Sequence, residues 1–381
     1  MPFTSGNSKV NFRYSVAAVT SVALLTLSCS RQPDRARKTE AGGGQTAQQT
    51  RPTSADRRDA FFAFGPVSSN NAKPQVVDSV LLLASNESPI VRISGFARAG
   101  DGSIVIADAS EKNVKLFDAR GKLLRTLGSA GAGPGQFQDP RFPRWLRGGG
   151  LVVAEGNGRV STFKADGAFE ALCSLERIPR VSSFEVMADG HYVVAVGDGG
   201  TQSITVLDKA CHRVSDVFTL QGVPVADEPA FSGWLGLNAL YAATYSDTTL
   251  IASTLSDSLW IVEPSGVTRA TQLKSSDLLP PQKPSEAALQ DRDRFKWAKD
   301  FHRAVPPFYS GELMIIGFCR GILNYGDPNV YFVRKPGTAG FQKYTNLPPV
   351  IGVAGDTAFV YLNPNQETVW LGKLVFSAIS R

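Results

Sequence analysis

Between Gly95 and Gly135 short apolar runs alternate with polar turns at a spacing that predicts a small antiparallel sheet. Asp101-Gly102 has the composition of a tight turn, and Ser103–Ala107 reads as a β-branched-rich strand. Asn113–Phe117 alternates as a second strand, and Arg120-Gly121 turns the chain into a third, Leu123–Leu127. One sheet of this size cannot bury both of its faces, so the unit needs copies of itself to pack against.

The copies are present. A turn followed by a short apolar strand recurs at Gly148 (GGGLVVAEG), Asp189 (DGHYVVAVG), Asp247 (DTTLIAST), Gly311 (GELMIIGF) and Gly355 (GDTAFVYL). Closing strands follow them, at 160, 204, 259, 330 and 369. Five intervals separate Asp101 from Gly355, a mean period of about 51 residues, close to the length of one propeller blade. The pattern predicts an all-β fold, a six-bladed propeller over 75–381 with insertions in the middle blades. A strand at 75–84 (QVVDSVLLLA) is placed to complete the last blade beside the C-terminal strands. The largest insertion, Leu273 to Pro307, carries an approximate helical stripe from Ser285 to Ala304 with Ser285 as its N-cap, which predicts one helix around 285–304.

The first copy reads G-S-I-V-I-A-D (102–108), then V-K-L-F-D-A-R-G (114–121), then a glycine-rich link that ends Gly135-Gln136-Phe137 before Pro140. This resembles the NHL repeat, closely in the first blade and less so in the next two. The resemblance implies four-stranded blades around a central channel, with binding on one face of the ring.

The N-terminus has a different pattern. Lys9 and Arg13 precede an uncharged, mostly apolar run, Ser15 to Leu27, too short to span a bilayer comfortably and suited to a signal peptide. The run ends Leu25-Thr26-Leu27-Ser28-Cys29, which resembles a bacterial lipobox, although Thr26 stands where Leu is commonest. The resemblance implies cleavage after residue 28, lipidation of Cys29, and a protein held in the bacterial cell envelope by several acyl chains. With Ser30 rather than Asp after the cysteine, the outer membrane or the periplasmic face is the expected site. Residues 29–60 then read as a flexible tether, since 30–58 contain no large aliphatic or aromatic side chain.

Charge follows the same division. Of the formal +6, the signal segment and the tether hold the excess, residues 30–58 with seven basic residues against three acidic ones. The propeller is close to neutral, which argues against a nucleic-acid partner. A basic tether beside anionic headgroups fits a membrane surface.

Three cysteines follow Cys29, at 173, 211 and 319. They fit no metal or redox spacing, and an odd number in an oxidising compartment allows at most one internal disulfide. Cys173 with Cys211 is the preferred pair, and three buried thiols the other reading.

Candidate chemistry is sparse. Gly131-Ala-Gly133-Pro-Gly135 lacks the Lys-Ser/Thr of a phosphate loop and reads as a blade linker. His191, His212 and His302 would have to converge to hold the zinc of a propeller lyase. Glu155, Asn157, Glu185, Asn238 and Asp356 would have to do so for a calcium-dependent lactonase or hydrolase. Asp108 and Asp118 read as structural acceptors in turns. Arg141, Arg144 and Trp145 before blade 2, Arg180 before blade 3, Trp234 before blade 4, and Phe308 and Tyr309 before blade 5 lie in the links into the strands expected to be innermost, around the mouth of the channel. Arginine with aromatics is the composition of a recognition surface. The expectation is a binding or scaffold module for a protein or small ligand, with no cofactor or metal and no assigned catalytic residue. A metal-dependent hydrolase, lactonase or lyase working at the channel is the alternative.

Overall fold

The apolar runs fold as strands, and those that follow the tight turns are more deeply buried than a strand with one solvated face would be. A computed structural model describes residues 65–68, 74–84, 89–175, 181–198, 201–220, 239–254, 256–263, 268–273, 275–276, 278–279, 301–320, 330–335, 338, 340–345, 347–362 and 369–376. All belong to the unit Pro52–Arg381. The signal segment, Cys29, the tether, Arg180, Trp234, Asn238 and residues 285–300 of the expected helix lie outside the described residues.

Two strands precede the repeats, β1 (Gly65–Ser68) and β2 (Gln75–Leu82). Blade 1 is β3 (Ile93–Arg98), β4 (Ile104–Asp108), β5 (Asn113–Phe117) and β6 (Leu123–Leu127). Blade 2 is β7 (Pro140–Trp145), β8 (Leu151–Glu155), β9 (Arg159–Phe163) and β10 (Phe169–Ser174). Blade 3 follows as β11 (Val181–Val186), β12 (Tyr192–Asp198), β13 (Thr201–Leu207) and β14 (Arg213–Leu220). Blade 4 is β15 (Leu240–Tyr245), β16 (Thr248–Ser253), β17 (Ser258–Val262) and β18 (Thr268–Gln272).

Blade 5 has its innermost position shared by β19 (His302–Ala304) and β20 (Phe308–Tyr309), on either side of Pro306-Pro307, then β21 (Met314–Arg320), β22 (Val330–Arg334) and β23 (Gly340–Thr345). Blade 6 is β24 (Val350–Ala354), β25 (Thr357–Tyr361) and β26 (Val369–Val375), completed outside by β2. Every pairing within a blade is antiparallel, and β1 adds to the outer edge of β23 in parallel. The innermost strands touch in turn, β3 to β7, β7 to β11, β11 to β15, β15 to β20, β20 to β24 and β24 back to β3, which closes the ring. The architecture is a six-bladed propeller.

The packing explains the continuous apolar runs. One apolar cluster lies between each pair of neighbouring blades, and successive residues of a strand feed opposite clusters. Val152 and Ala154 of β8 face blade 3, whereas Leu151 and Val153 face blade 1. Both faces of β4 and β8 are therefore buried, and their residues read as Ile-Val-Ile-Ala and Leu-Val-Val-Ala without polar alternation.

The structure corrects two expectations. The strand after each tight turn is the second of its blade, not the innermost, and a further strand lies inside it. The C-terminal end of the expected helix is also strand: His302–Ala304 form β19 and pair with Phe318–Arg320.

Cys173 of β10 and Cys211 are joined in a disulfide that crosses from blade 2 to blade 3. Its position follows a rule of the ring, because the outer strand of one blade presses on the turn between the third and fourth strands of the next. At Gly121 a Cβ would stand 2.1 Å from the Leu81 carbonyl oxygen, and at Gly167 it would meet Arg125 of β6 at 2.4 Å. Both glycines have positive φ. Cys211 takes the same place and the same left-handed conformation, φ 67°, and makes the contact covalent.

Candidate functional site

The innermost strands all run the same way, so the ring has a leading end where they begin and a trailing end where they finish. The leading end is built around buried carboxylates. Asp108, fully buried at the end of β4, accepts amide N–H bonds from Val91 (2.7 Å), Arg92 (3.2 Å), Ser110 (3.0 Å) and Glu111 (3.1 Å), and Lys115 Nζ stands 3.5 Å away. Glu155 repeats the arrangement in blade 2, accepting from Gln138 (2.6 Å) and Asp139 (2.8 Å), with Arg159 Nη1 at 3.5 Å. Thr254 Oγ1 does the same for the Ala239 amide in blade 4. These side chains tie the chain entering each innermost strand to the end of the second strand, and the two carboxylates are committed to amides and a neighbouring cation, although Glu155 Oε1 has the Arg159 charge beside it rather than a hydrogen bond. Lys115 has its pKa lowered by burial, which the Asp108 carboxylate only partly opposes.

A second device sits one residue inside the leading end. The register of β3, β7, β11 and β24 shifts after the first residue, leaving Ser94, Arg141, Ser182 and Ile351 as bulged residues. A bulge re-aims its side chain. Ser94 Oγ donates to the Pro140 carbonyl of blade 2 at 2.5 Å, and Ser182 Oγ to the Leu240 carbonyl of blade 4 at 2.7 Å. Arg141 instead turns outward, 43% exposed, and its Nε donates to Asp139 Oδ2 at 2.7 Å. Gly156 lies against this pair, where a Cβ would stand 2.5 Å from the Asp139 carboxylate.

At the trailing end, Arg144 makes a two-pronged ion pair with Glu185 of blade 3, Nε to Oε2 and Nη2 to Oε1, both 2.7 Å. The pair is partly buried, 26% and 13% exposed. Desolvation works against the Arg144 charge, but the Glu185 carboxylate outweighs it, and the guanidinium pKa is raised. Trp145 packs between blades 1 and 2 with its indole Nε1 buried and unbonded among the described residues. On the opposite side of the ring, Phe308 leans on the cluster shared with blade 6 and Tyr309 on the one shared with blade 4. Tyr309 meets the half-exposed Tyr245, the last residue of β15, edge-on at a centroid distance of 5.8 Å.

The structure thus gathers Arg144, Trp145, Phe308 and Tyr309 around one end of the channel and puts Arg141 at the other, three residues back along β7. These residues stand in innermost strands rather than in links. Tyr245 and Arg98, whose guanidinium lies 5.1 Å over the Phe359 ring, belong to the same trailing end and were not marked by the sequence. Their signal is position, at the end of an innermost strand that the apolar pattern does not mark.

The metal candidates are dispersed. Glu155 and Asn157 lie at the leading end, Asn157 bonded to Gln138 at 2.8 Å, while Glu185 and Asp356 lie at the trailing end. His191 and His212 occupy separate turns of blade 3, beside Asp189 (2.8 Å) and Asp208 (3.1 Å), and His302 begins β19. Among the described residues no three His, Cys, Asp or Glu side chains are placed to share a metal. The glycine-rich link folds round a cation, its Gly133 carbonyl accepting from Arg159 Nη2 at 3.2 Å.

No protein-family profile and no curated protein sequence matches the chain. Solved structures do. A protein described as exported, from Bacteroides fragilis NCTC 9343, superposes with a TM-score of 0.55 at 11% identity, over 83% of this chain and 99% of its own. A member of the duf4221 family from Bacteroides vulgatus gives 0.53 at 11% identity, over 81% and 99%. A virginiamycin B lyase from Staphylococcus aureus is more distant, at 0.45 and 11% identity, over 80% and 99%. At such identities the likeness concerns the fold.

Proposed function

We propose that the protein is an exported envelope lipoprotein whose propeller is a binding or scaffold module, with the trailing end of the channel as its binding face. The observation that carries the reading is the collection of Arg144, Trp145, Tyr245, Phe308 and Tyr309 at strand ends around one mouth, on side chains already fixed by neighbouring blades. Rigid aromatic and arginine groups bind with little ordering cost. The carboxylates Asp108, Glu155 and Glu185, by contrast, are engaged by amides and cations. The fold neighbour described as exported, the signal-like N-terminus and the disulfide all support a location outside the cytoplasm.

Two experiments test this. Cys29→Ala is expected to release the protein from membranes with an unchanged thermal melt, and retention after fractionation removes the lipid anchor from the proposal. Cross-linking in the native envelope from photoreactive groups at Arg144 and Trp145 is expected to trap a defined partner. Stoichiometric calcium or zinc in the purified protein, with a melt that shifts on chelation, would replace the module with a metal-dependent enzyme.

A further inference from the structure

The geometry at the blade 4–blade 5 boundary points to a seat for a cationic group, an ammonium or a guanidinium carried by the ligand or partner; this deepens the reading of the trailing end as the binding face and rests on it. Tyr245 is 51% exposed, yet its ring is fixed. Tyr309 holds it edge-on, and Gly311 lies against it, where any Cβ would stand 2.2 Å from Cε1. The next residue, Ser246, has φ 55°, a left-handed conformation that serine adopts at a cost, so the turn presenting the ring is held in place by its surroundings. The Tyr245 hydroxyl makes no hydrogen bond among the described residues. A large aromatic surface is thus exposed and immobilised, so a ligand landing on it loses little further freedom.

The charges beside the ring select the ligand. Glu312 belongs to the same turn as Gly311, is exposed, and has no ion-pair partner among the described residues. Its carboxylate reaches to within 3.5 Å of where a Cβ would stand at Gly355, in the turn that carries Asp356. Asp247 follows Tyr245 by two residues and accepts the Ala188 amide at 3.3 Å. Lys335 faces Asp356, and the buried Arg334 guanidinium lies near Tyr309, so two cations stand against these three carboxylates. The balance around the ring is negative, and the electron-rich face of a tyrosine attracts a cation as well. An anionic ligand would meet repulsion from both. On the opposite arc of the same end Arg98 lies over the Phe359 ring and the Arg144 charge is balanced by Glu185, so the carboxylates at blades 4 and 5 are the charges left to select a ligand.

The test is calorimetric titration of the purified protein with a tetra-arginine peptide and with tetramethylammonium, and with tetraglutamate as the control. The arginine peptide is expected to bind and tetraglutamate not to. Tyr245→Ala, checked for an unchanged melt, is expected to weaken binding by about three- to thirtyfold, the range of one cation–π contact. Tyr245→Phe keeps the ring and is expected to bind as the native protein does, and Glu312→Gln to bind less tightly. Equal binding by native protein and Tyr245→Ala, or no binding of either cation at millimolar concentration, overturns the seat. If envelope cross-links still map to Arg144 and Trp145 in that case, the binding face stands without it. Cross-links that map away from the trailing end overturn both.

Discussion

At the scale of single residues, the buried carboxylates carry the clearest energetic consequence. Asp108→Ala would leave four amide N–H groups without their acceptor, and the buried Lys115 ammonium with Asn113 at 2.7 Å but without its buried counter-charge, in a site closed to water. A cost of about 3–5 kcal/mol is expected, read as a fall in the urea midpoint. Asp118→Ala, which removes an exposed turn acceptor for Arg120 and Lys122, should cost about 1 kcal/mol or less. The turn aspartates also set an acid limit. Asp101 and Asp208 have pKa values lowered by amide bonds from Ser103 and His212 in their own turns. A carboxylate whose folded pKa lies below its unfolded value near 3.9 stabilises the fold above that value and loses the contribution as pH falls through the folded pKa. Stability is therefore expected to fall as pH drops below about 4, and Asp101→Asn with Asp208→Asn should flatten that part of the curve.

At the scale of the element, the two lessons are the turn-to-rim contact and the innermost strands. The disulfide closes a stretch of 38 residues, for which chain entropy gives a stabilisation of about 4 kcal/mol. Reduction should lower the melting temperature without opening the other blades. Once the bond is absent, Cys211 keeps only the strain of its left-handed backbone. Cys173→Ala with Cys211→Gly is therefore expected to be more stable than Cys173→Ala with Cys211→Ala by about 1 kcal/mol, by denaturant melt. The turns and second strands were legible because both of their faces are buried and their residues are uniformly apolar. The innermost strands were not. Ile93–Arg98 and Pro140–Trp145 contain a bulge, a glycine forced by the approach of the next blade, or two prolines, and their side chains serve a neighbour or the channel in an irregular order. The residue types of the candidate site were legible for the same reason that their placement was not. Arginine and aromatics stood out in PRFPRW, but only a strand there shows that Arg141 and Arg144 belong to opposite ends of the ring.

At the scale of the whole molecule, the period of the repeat gave the number of blades, and the strand at 75–84 gave the closure, because both depend on apolar patterning alone. Closure can be tested directly. Removing residues 1–60 should leave the melt of the propeller unchanged, whereas removing residues 1–84 strips β2 from β26 and leaves blade 6 with three strands. The shorter chain is expected to lose its cooperative transition and to bind a hydrophobic dye. β2 also reaches past its own blade, since the Leu83 amide bonds to the Gly121 carbonyl of blade 1 at 2.8 Å.

This arrangement has a mechanical reading. Any pull transmitted from the N-terminal side of Gly65 is met first by β1 against β23 and then by β2 against β26, where seven residue pairs share the load. The strand that completes the circle is thus also the one by which the circle would be suspended. A force large enough to strip it would detach the ring and open it in a single event, so single-molecule stretching from the N-terminus should show one early rupture rather than blades yielding one after another.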